Sequence, residues 1–264
     1  MQTQKELIQQ GFQRAKLTYA QNAKVQQAMQ QKLLAILHKH CKARNLGNIL
    51  ELGCGNGLLA QNLALNFEFE SYLAVDLVDF SNDFIKIQKD TSHKINFLQA
   101  DFEDLVKIGN KNPDLQYDLI LSNASMQWVN QWSFLPQLSA LLQPNGILAF
   151  STFGTENYQE LRASCGIGLE YLELKDYVEI LQSDFKILES FGVRIPLRFS
   201  STLALFKHLR DTGVNSLQRG FKLNKKLLTD YAVRFHNVLT YHPIYLLARK
   251  ISLESKPKDS PSNS

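Results

Sequence analysis

The sequence predicts an α/β fold in which a doubly wound, mostly parallel sheet is covered by helices on both faces. Three observations carry this prediction. Apolar, strand-like segments alternate with helical patterns from residue 48 to residue 152, which implies right-handed crossovers between parallel strands. The first of these strands passes into a helix through three closely spaced glycines. Acidic residues stand where the first three strands end, which is the ligand edge of such a sheet.

The elements before residue 153 follow from hydrophobic periodicity. Apolar residues recur at helical spacing over residues 21–40, which predicts the first long helix. Phe12 and Tyr19 precede it, in a segment expected either to fold over a ligand as a lid or to pack on the sheet. Short apolar runs predict five strands, separated by helices, near residues 48–52, 71–76, 95–98, 117–122 and 146–152.

The regular alternation ends after Gly154. Helical patterns then cover about residues 156–164, 174–182, 201–212 and 225–236, and strand-like stretches cover 185–197 and 239–248. Helices inserted at the carboxyl edge of a sheet commonly cap a substrate site. The predicted domains are an N-terminal lid and helix (1–46), a ligand-binding core (47–153), cap helices with closing strands (154–250) and a disordered tail (251–264).

Composition excludes several classes of protein. The chain has 264 residues, of which 44% are hydrophobic and 20% charged, as in ordinary globular proteins. It lacks an apolar leader and any apolar stretch near the ~20 residues that cross a bilayer, so we expect a cytoplasmic protein without a membrane partner. A net charge of +4 is too small and too dispersed for nucleic-acid binding. Three cysteines at unrelated spacings predict neither disulfides nor a metal site. Separately, we expect the protein to be a monomer.

The glycine turn has the spacing Glu51-x-Gly53-x-Gly55-x-Gly57. Glycine lets a ligand approach the backbone closely at a helix N-terminus, and Glu51 suggests a cationic or hydroxyl-rich ligand. A dinucleotide-binding turn would need its third glycine where Leu58 stands. The alternative is a tight strand-to-helix turn that binds nothing.

This spacing resembles motif I of the class I S-adenosylmethionine methyltransferases, whose fold is a seven-stranded Rossmann-like sheet. The resemblance implies that Glu51 lies near the methionine amino group and that the glycine backbone passes under the cofactor. Asp76, with its neighbour Leu77, ends the second strand, where a carboxylate can accept both ribose hydroxyls. Asp101 and Phe102 resemble the adenine motif of the family. Either aspartate alone could instead be a turn residue or a helix cap.

The loop after the fourth strand, Asn123 to Trp128, should face the methyl group and its acceptor. Asn123 is the candidate nearest the cofactor. Trp128 and Trp132 are four residues apart, at the expected start of a helix. For Trp132 we predict core packing, and for Trp128 either core packing or a place in the pocket wall.

A closer resemblance covers almost the whole chain before the tail. It rests on Phe12 to Ala15 with Tyr19, Asn123 to Trp128, Ala149 to Phe153, Gln159 to Leu161, Thr202 to Gly213 and Leu239 to Pro243. Together these segments resemble the malonyl-[acyl-carrier protein] O-methyltransferases of biotin synthesis. Two features depart from that family, the long linker before the fourth strand and the aromatic Phe102.

The resemblance implies transfer of a methyl group from S-adenosylmethionine to the free carboxylate of a malonyl thioester, with malonyl-acyl-carrier protein or malonyl-coenzyme A as partner. A carboxylate attacking a sulfonium is a displacement in which opposite charges disappear. Such a step needs placement and a dry site rather than a general base, so no catalytic acid or base is predicted.

For the acceptor we predict a pocket shaped by Tyr19, Gln127 and Trp128. One cap arginine is expected to hold the carboxylate bidentately, and the candidates are Arg162, Arg194 and Arg198, each of which could instead be a solvated surface residue. The alternatives for function are another small-molecule methyltransferase, acting on free acids or quinone precursors, and a cofactor-binding regulator without transfer activity.

Overall fold

The computed structural model describes residues 4–41, 45–112, 114–166, 168–212 and 223–252, and it contains a seven-stranded sheet in the order β3-β2-β1-β4-β5-β9-β6. The strands are β1 (Asn48–Leu52), β2 (Ser71–Asp76), β3 (Ile95–Gln99), β4 (Tyr117–Asn123), β5 (Leu142–Phe153), β6 (Phe185–Gly192), β7 (Ile195–Arg198), β8 (Val238–Tyr241) and β9 (Pro243–Lys250). Strands β1 to β5 are parallel to one another, and β9 is antiparallel to both β5 and β6. The predicted doubly wound, seven-stranded class is confirmed.

Helices cover both faces of this sheet. They are α1 (Gln4–Asn22), α2 (Lys24–His40), α3 (Leu58–Asn66), α4 (Ser81–Lys89), α5 (Phe102–Gly109), α6 (Gln131–Phe134), α7 (Gln159–Cys165), α8 (Leu174–Leu181), α9 (Thr202–Asp211) and α10 (Lys225–Phe235). One buried cluster joins the sheet to α2, α3 and α4, and a second joins its other face to α5, α6 and α8. Among the described helices, none is both long and apolar enough to cross a bilayer.

The central strands read as continuous apolar runs because both of their faces are covered. In β1, Ile49, Leu50 and Leu52 have no exposed surface. Polar residues of these strands therefore gather at the strand ends, where the helices no longer cover the sheet.

The C-terminal strands differ from the prediction. The prediction of a single strand over 239–248 is wrong, because this stretch is divided at His242 into β8 and β9. The His242 carbonyl accepts from Gly154 N at 2.8 Å, and its N–H donates to Asn157 Oδ1 at 3.2 Å, so this residue bonds to a turn instead of a strand. The stretch 185–197 divides likewise, and β7 and β8 form a separate two-stranded sheet.

The N-terminal segment is a helix in its own right. The first helix, predicted over 21–40, is interrupted at Ala23, and α1 precedes it. Thr18 Oγ1 donates to the Asp211 carbonyl at 3.0 Å, which ties α1 to α9. The division into lid, core, cap and tail stays a prediction, and the tail from residue 253 lies outside the described residues.

Candidate active site

A cleft of about 1260 Å³, including the part open to solvent, lies at the carboxyl ends of β1, β2 and β4. This is where open α/β sheets bind ligands. Eight of the nine residues predicted to bind cofactor line it, namely Glu51, Gly53, Gly55, Asp76, Leu77, Asp101, Phe102 and Asn123. The topology thus brings together side chains that are up to 72 residues apart in the chain, from 51 to 123.

The glycines of the turn serve different purposes. Gly55 has φ +52°, and a Cβ built on it would meet no atom within 4 Å, so its backbone faces open space in the cleft. Gly57, which does not line the cleft, has φ +77°, and a Cβ there would lie 2.5 Å from Ile87 of α4. Gly55 therefore leaves room for a ligand, and Gly57 lets the turn pack against α4.

Glu51 is a buried carboxyl group at the bottom of the cleft. It is 1% exposed, and its Oε2 accepts from the Tyr72 hydroxyl at 2.7 Å. Burial raises the pKa of Glu51 to about 8, so the carboxyl group is mostly protonated at neutral pH without a ligand. A cationic group beside it would favour the ionised form.

Asp76 is fixed by backbone donors on both carboxylate oxygens. Its Oδ2 accepts from Gly55 N at 2.8 Å, and its Oδ1 accepts from Val78 N at 2.9 Å. These bonds lower the pKa of Asp76, although burial has the larger effect and raises it. The bond to Gly55 also joins the tip of β2 to the glycine turn, which keeps the carboxylate at the edge of the cleft.

Asp101 caps α5 and lines the cleft as well. Its Oδ1 accepts from Glu103 N at 2.9 Å, and its Oδ2 accepts from Lys5 Nζ at 2.5 Å. Lys5 also pairs with Glu103. The ring of Phe102 is tilted against that of Phe134, with centroids 5.4 Å apart. Asp101 therefore caps a helix and also lines the predicted ligand site, so the two alternatives stated for it from the sequence are compatible.

Helix α1 supplies part of the cleft wall, of which the sequence analysis had named Phe12 and Tyr19 but not Ile8 or Gln9. Ile8, Gln9 and Phe12 line the cleft, and Gln9 Nε2 donates to the Leu77 carbonyl at 2.9 Å. A signal was present in the sequence: Ile8, Phe12, Ala15 and Tyr19 follow the i, i+4, i+7, i+11 spacing of one helix face.

A second cavity of about 370 Å³, also including the part open to solvent, adjoins the cleft. Both cavities are lined by Phe12, Tyr19, Gln26, Ala124 and Trp128, and the second is also lined by Gln127, Phe153, Asn157, Tyr158, Leu169, Tyr171 and Thr212. The structure thus brings together Tyr19, Gln127 and Trp128, the three residues predicted to shape the acceptor pocket. The sequence did not reveal Asn157, Tyr158 or Tyr171.

Two residues of this wall are held firmly. Gln127 Nε2 donates to the Ala124 carbonyl at 2.6 Å, and Gln127 Oε1 accepts from Thr152 Oγ1 at 3.1 Å. Trp128 packs edge-on against Phe12, with ring centroids 5.4 Å apart. The core packing predicted for Trp132 is wrong, because half of that residue is exposed.

The three candidate arginines lie outside both cavities. Arg194 is 67% exposed and pairs with Glu156. Arg198 is exposed and donates to the His236 carbonyl at 3.2 Å. Arg162 donates to the carbonyls of Asn157 and Thr155, and its guanidinium lies 5.6 Å from the centroid of the Tyr171 ring. Of these three arginines, only Arg162 contacts residues that line the second cavity.

Comparison with known proteins gives the family. A methyltransferase-domain family matches residues 50–148. The malonyl-[acyl-carrier protein] O-methyltransferase of Chlorobium luteolum is 33% identical over 258 residues, which cover 94% of this chain and 96% of that relative. The protein of the same name from Haemophilus influenzae is 31% identical and covers 96% and 97%. The chain belongs to the malonyl-[acyl-carrier protein] O-methyltransferase family. The family predicted from the sequence is confirmed, and with it the enzyme class.

Solved structures agree with the fold of this methyltransferase family. The 1,6-didemethyltoxoflavin-N1-methyltransferase of Burkholderia thailandensis, solved with S-adenosylhomocysteine, matches with a TM-score of 0.57 at 16% identity. The match covers 96% of this chain and 92% of that one. At such low identity the likeness concerns the fold and not the acceptor.

Proposed function

We propose that the protein transfers the methyl group of S-adenosylmethionine to the free carboxylate of malonyl-acyl-carrier protein, giving the malonyl methyl ester from which pimeloyl and biotin synthesis starts. The observation that carries this proposal is a pair of adjoining cavities, one bordered by three carboxyl groups at strand tips and the other lined by neutral side chains. The family relatives named above carry the same activity in their names.

The residues of the cleft fit the cofactor. The buried Glu51 carboxyl suits the methionine ammonium, and the fixed carboxylate of Asp76 suits two ribose hydroxyls. Asp101 and Phe102 would hold the adenine, while Leu77 and Asn123 complete the wall. The open space above Gly55 leaves room for the chain that joins the two ends of the cofactor. S-adenosylmethionine supplies an electrophilic methyl group on a sulfonium.

The second cavity suits an acceptor that is already charged. A carboxylate is ionised at neutral pH and needs no base, and the polar side chains among the described lining residues of this pocket are amides and hydroxyls. The rings of Phe12, Trp128 and Phe153 line this cavity and would exclude water around a bound acceptor. A poorly hydrated carboxylate is the stronger nucleophile, and placement supplies the remaining rate enhancement.

The test is a transfer assay with labelled S-adenosylmethionine and four acceptors: malonyl-acyl-carrier protein, malonyl-coenzyme A, acetyl-acyl-carrier protein and free malonate. We expect a methyl ester with the malonyl thioesters alone. Label on free malonate would favour a free-acid enzyme, whereas cofactor binding without product from any acceptor would favour a regulator.

The choice of thioester handle has its own measurement. A carrier protein is acidic, so turnover with malonyl-acyl-carrier protein should weaken as salt is added, and turnover with a small free acid should not. Monomeric state and cytoplasmic location stay predictions from the sequence.

A further inference from the structure

The second cavity lacks the charged group that the substrate would be expected to meet. Its twelve lining residues are aromatic, aliphatic, amide or hydroxyl side chains, and none of the described ones carries a formal charge. A carboxylate that enters this cavity must therefore be oriented by neutral hydrogen-bond donors. The question is which hydroxyl or amide in the wall has a hydrogen to give.

Several of the polar groups already donate to the protein. Gln127 Nε2 donates to the Ala124 carbonyl. Thr212 Oγ1 donates to the His208 carbonyl at 2.9 Å. Asn157 Nδ2 donates to the Tyr171 hydroxyl at 2.9 Å, and Asn157 Oδ1 accepts from His242 N. These bonds fix the wall, and beyond them only the second hydrogen of each amide is left to donate.

Tyr171 is in a different position. Because its phenol oxygen accepts the bond from Asn157, the hydroxyl hydrogen points away from that amide and is available to another acceptor. The residue lines the cavity, so an anion seated there would find this hydrogen.

Arg162 lies directly behind Tyr171. Its guanidinium donates to the carbonyls of Asn157 and Thr155 and lies over the Tyr171 ring. The side-chain carbons of Arg162 also fill the space beside Gly168, where an added Cβ would lie 2.7 Å from Cγ. One side chain thus joins the turn that carries Asn157 to the segment that carries Tyr171.

The positive charge of Arg162 also acts on the Tyr171 phenol, in addition to the packing of the arginine side chain. Burial raises the pKa of Tyr171 to about 12, while the Asn157 amide and the Arg162 guanidinium act in the opposite direction. A cation behind the ring makes the hydroxyl a better donor to an anion without contacting that anion.

We propose that Tyr171 donates the hydrogen bond that orients the malonyl carboxylate, and that Arg162 is a positioning residue acting through Tyr171 and Asn157. This inference rests on the proposed function. It replaces the bidentate arginine predicted from the sequence, and a physical reason favours it. The charge of the carboxylate is partly neutralised in the transition state, so a direct ion pair would stabilise the bound acceptor more than the transition state.

The first test is Tyr171→Phe. We expect the KM for malonyl-acyl-carrier protein to rise roughly ten- to a hundredfold, the loss typical of a hydrogen bond to a charged group, with unchanged affinity for S-adenosylhomocysteine in calorimetry. The control is Tyr245→Phe, because Tyr245 is buried but lines neither cavity. An unchanged KM in Tyr171→Phe would overturn the inference. If the wild-type protein forms no malonyl ester, the proposed function fails instead.

The second test asks whether Arg162 acts through Tyr171. Arg162→Lys keeps the charge but loses the planar guanidinium that donates to two carbonyls. The KM for malonyl-acyl-carrier protein should therefore rise severalfold in the wild-type background and hardly at all in the Tyr171→Phe background. Arg249→Lys, an exposed arginine on β9, is the control. Effects of the two substitutions that simply add would mean that Arg162 does not act through Tyr171, and the positioning role would be wrong.

Discussion

The cleft and the second cavity are lined by different kinds of polar group. In the cleft these are carboxyl groups at strand tips, and two of them, Asp76 and Asp101, each accept a backbone N–H two residues further along the chain, at Val78 and Glu103. In the second cavity they are amides and hydroxyls, and Asn157 and Tyr171, which bond to each other, are 14 residues apart in sequence.

On the proposed assignment of the two cavities, this difference follows from what each region would bind. S-adenosylmethionine offers an ammonium, two hydroxyls and an amine, all of which are donors that a carboxylate can accept. The malonyl acceptor brings its own negative charge and loses it during transfer. Carboxylates therefore suit the cleft, and neutral donors in a dry wall suit the second cavity.

The largest effect that would separate the two regions is expected at Asp76. In Asp76→Ala, two ribose acceptors are lost and the N–H groups of Gly55 and Val78 lose their partner, so calorimetry should show the Kd for S-adenosylhomocysteine rising by roughly a hundredfold or more. Asp79→Ala is the neighbouring control, because that residue is exposed and lines neither cavity. If Asp76→Ala leaves the Kd unchanged but raises the acceptor KM, the assignment of the two cavities is wrong.

The second effect concerns Glu51 in the unliganded protein. Its folded-state pKa is raised to about 8, so the stability linked to this group is complete below the unfolded pKa and is lost as pH rises through the folded pKa. Between pH 6 and pH 8 the free energy of unfolding should fall by about 2 kcal/mol through Glu51.

Urea unfolding of wild type and Glu51→Gln at both pH values measures this loss. The amide cannot titrate, so the variant should show a smaller loss over the same interval, and the difference isolates Glu51 from Asp76, whose pKa is also raised. Equal losses in the two proteins would mean that Glu51 is ionised throughout.

The cleft could be predicted from the sequence because its geometry is local or topological. The glycine turn is contiguous, and the tips of parallel strands meet at one edge whatever the loops do, which places Glu51, Asp76 and Asp101 together. Asn157 and Tyr171 lie on either side of α7, outside the helices and strands, so no spacing pattern in the chain encodes their contact. The same limit applies to Arg162, whose guanidinium the sequence alone could not orient.

The tryptophans show how a local break defeats a spacing argument. They are four residues apart at the expected start of one helix, but Trp128 ends a 3-10 turn and Asn130 caps the separate short helix that carries Trp132. The Asn130 side chain accepts from Ser133 N at 3.2 Å. Because the helix restarts there, the two rings point to different surroundings, and only Trp128 of the pair lines the cavities.

These tryptophans also give a matched pair of substitutions. Trp128→Ala removes the wall shared by both cavities and the contact with Phe12, and we expect kcat/KM for the malonyl thioester to fall roughly tenfold, about the value of one aromatic pair with its buried area. Trp132→Ala should leave it unchanged, since that ring is half exposed. Transfer assays on both variants decide the matter, and equal losses would mean that Trp128 has no special place in the site.

The smallest effect is expected at Lys5, which joins α1 to the cleft. Lys5 pairs with Asp101 and Glu103, and 46% of its side chain is exposed. An ion pair at such a site contributes little, so Lys5→Gln should raise the Kd for S-adenosylhomocysteine only roughly two- to fivefold, through faster release as α1 detaches more often. Lys107→Gln breaks a similarly exposed pair with Asp104, away from the cleft, and should leave that Kd unchanged.

Salt screens exposed charges, so added salt should weaken cofactor binding to the wild type towards the level of Lys5→Gln while affecting the variant less. Tighter binding by Lys5→Gln would reverse the interpretation, because Lys5 would then compete with the adenine for Asp101 instead of holding α1 over it.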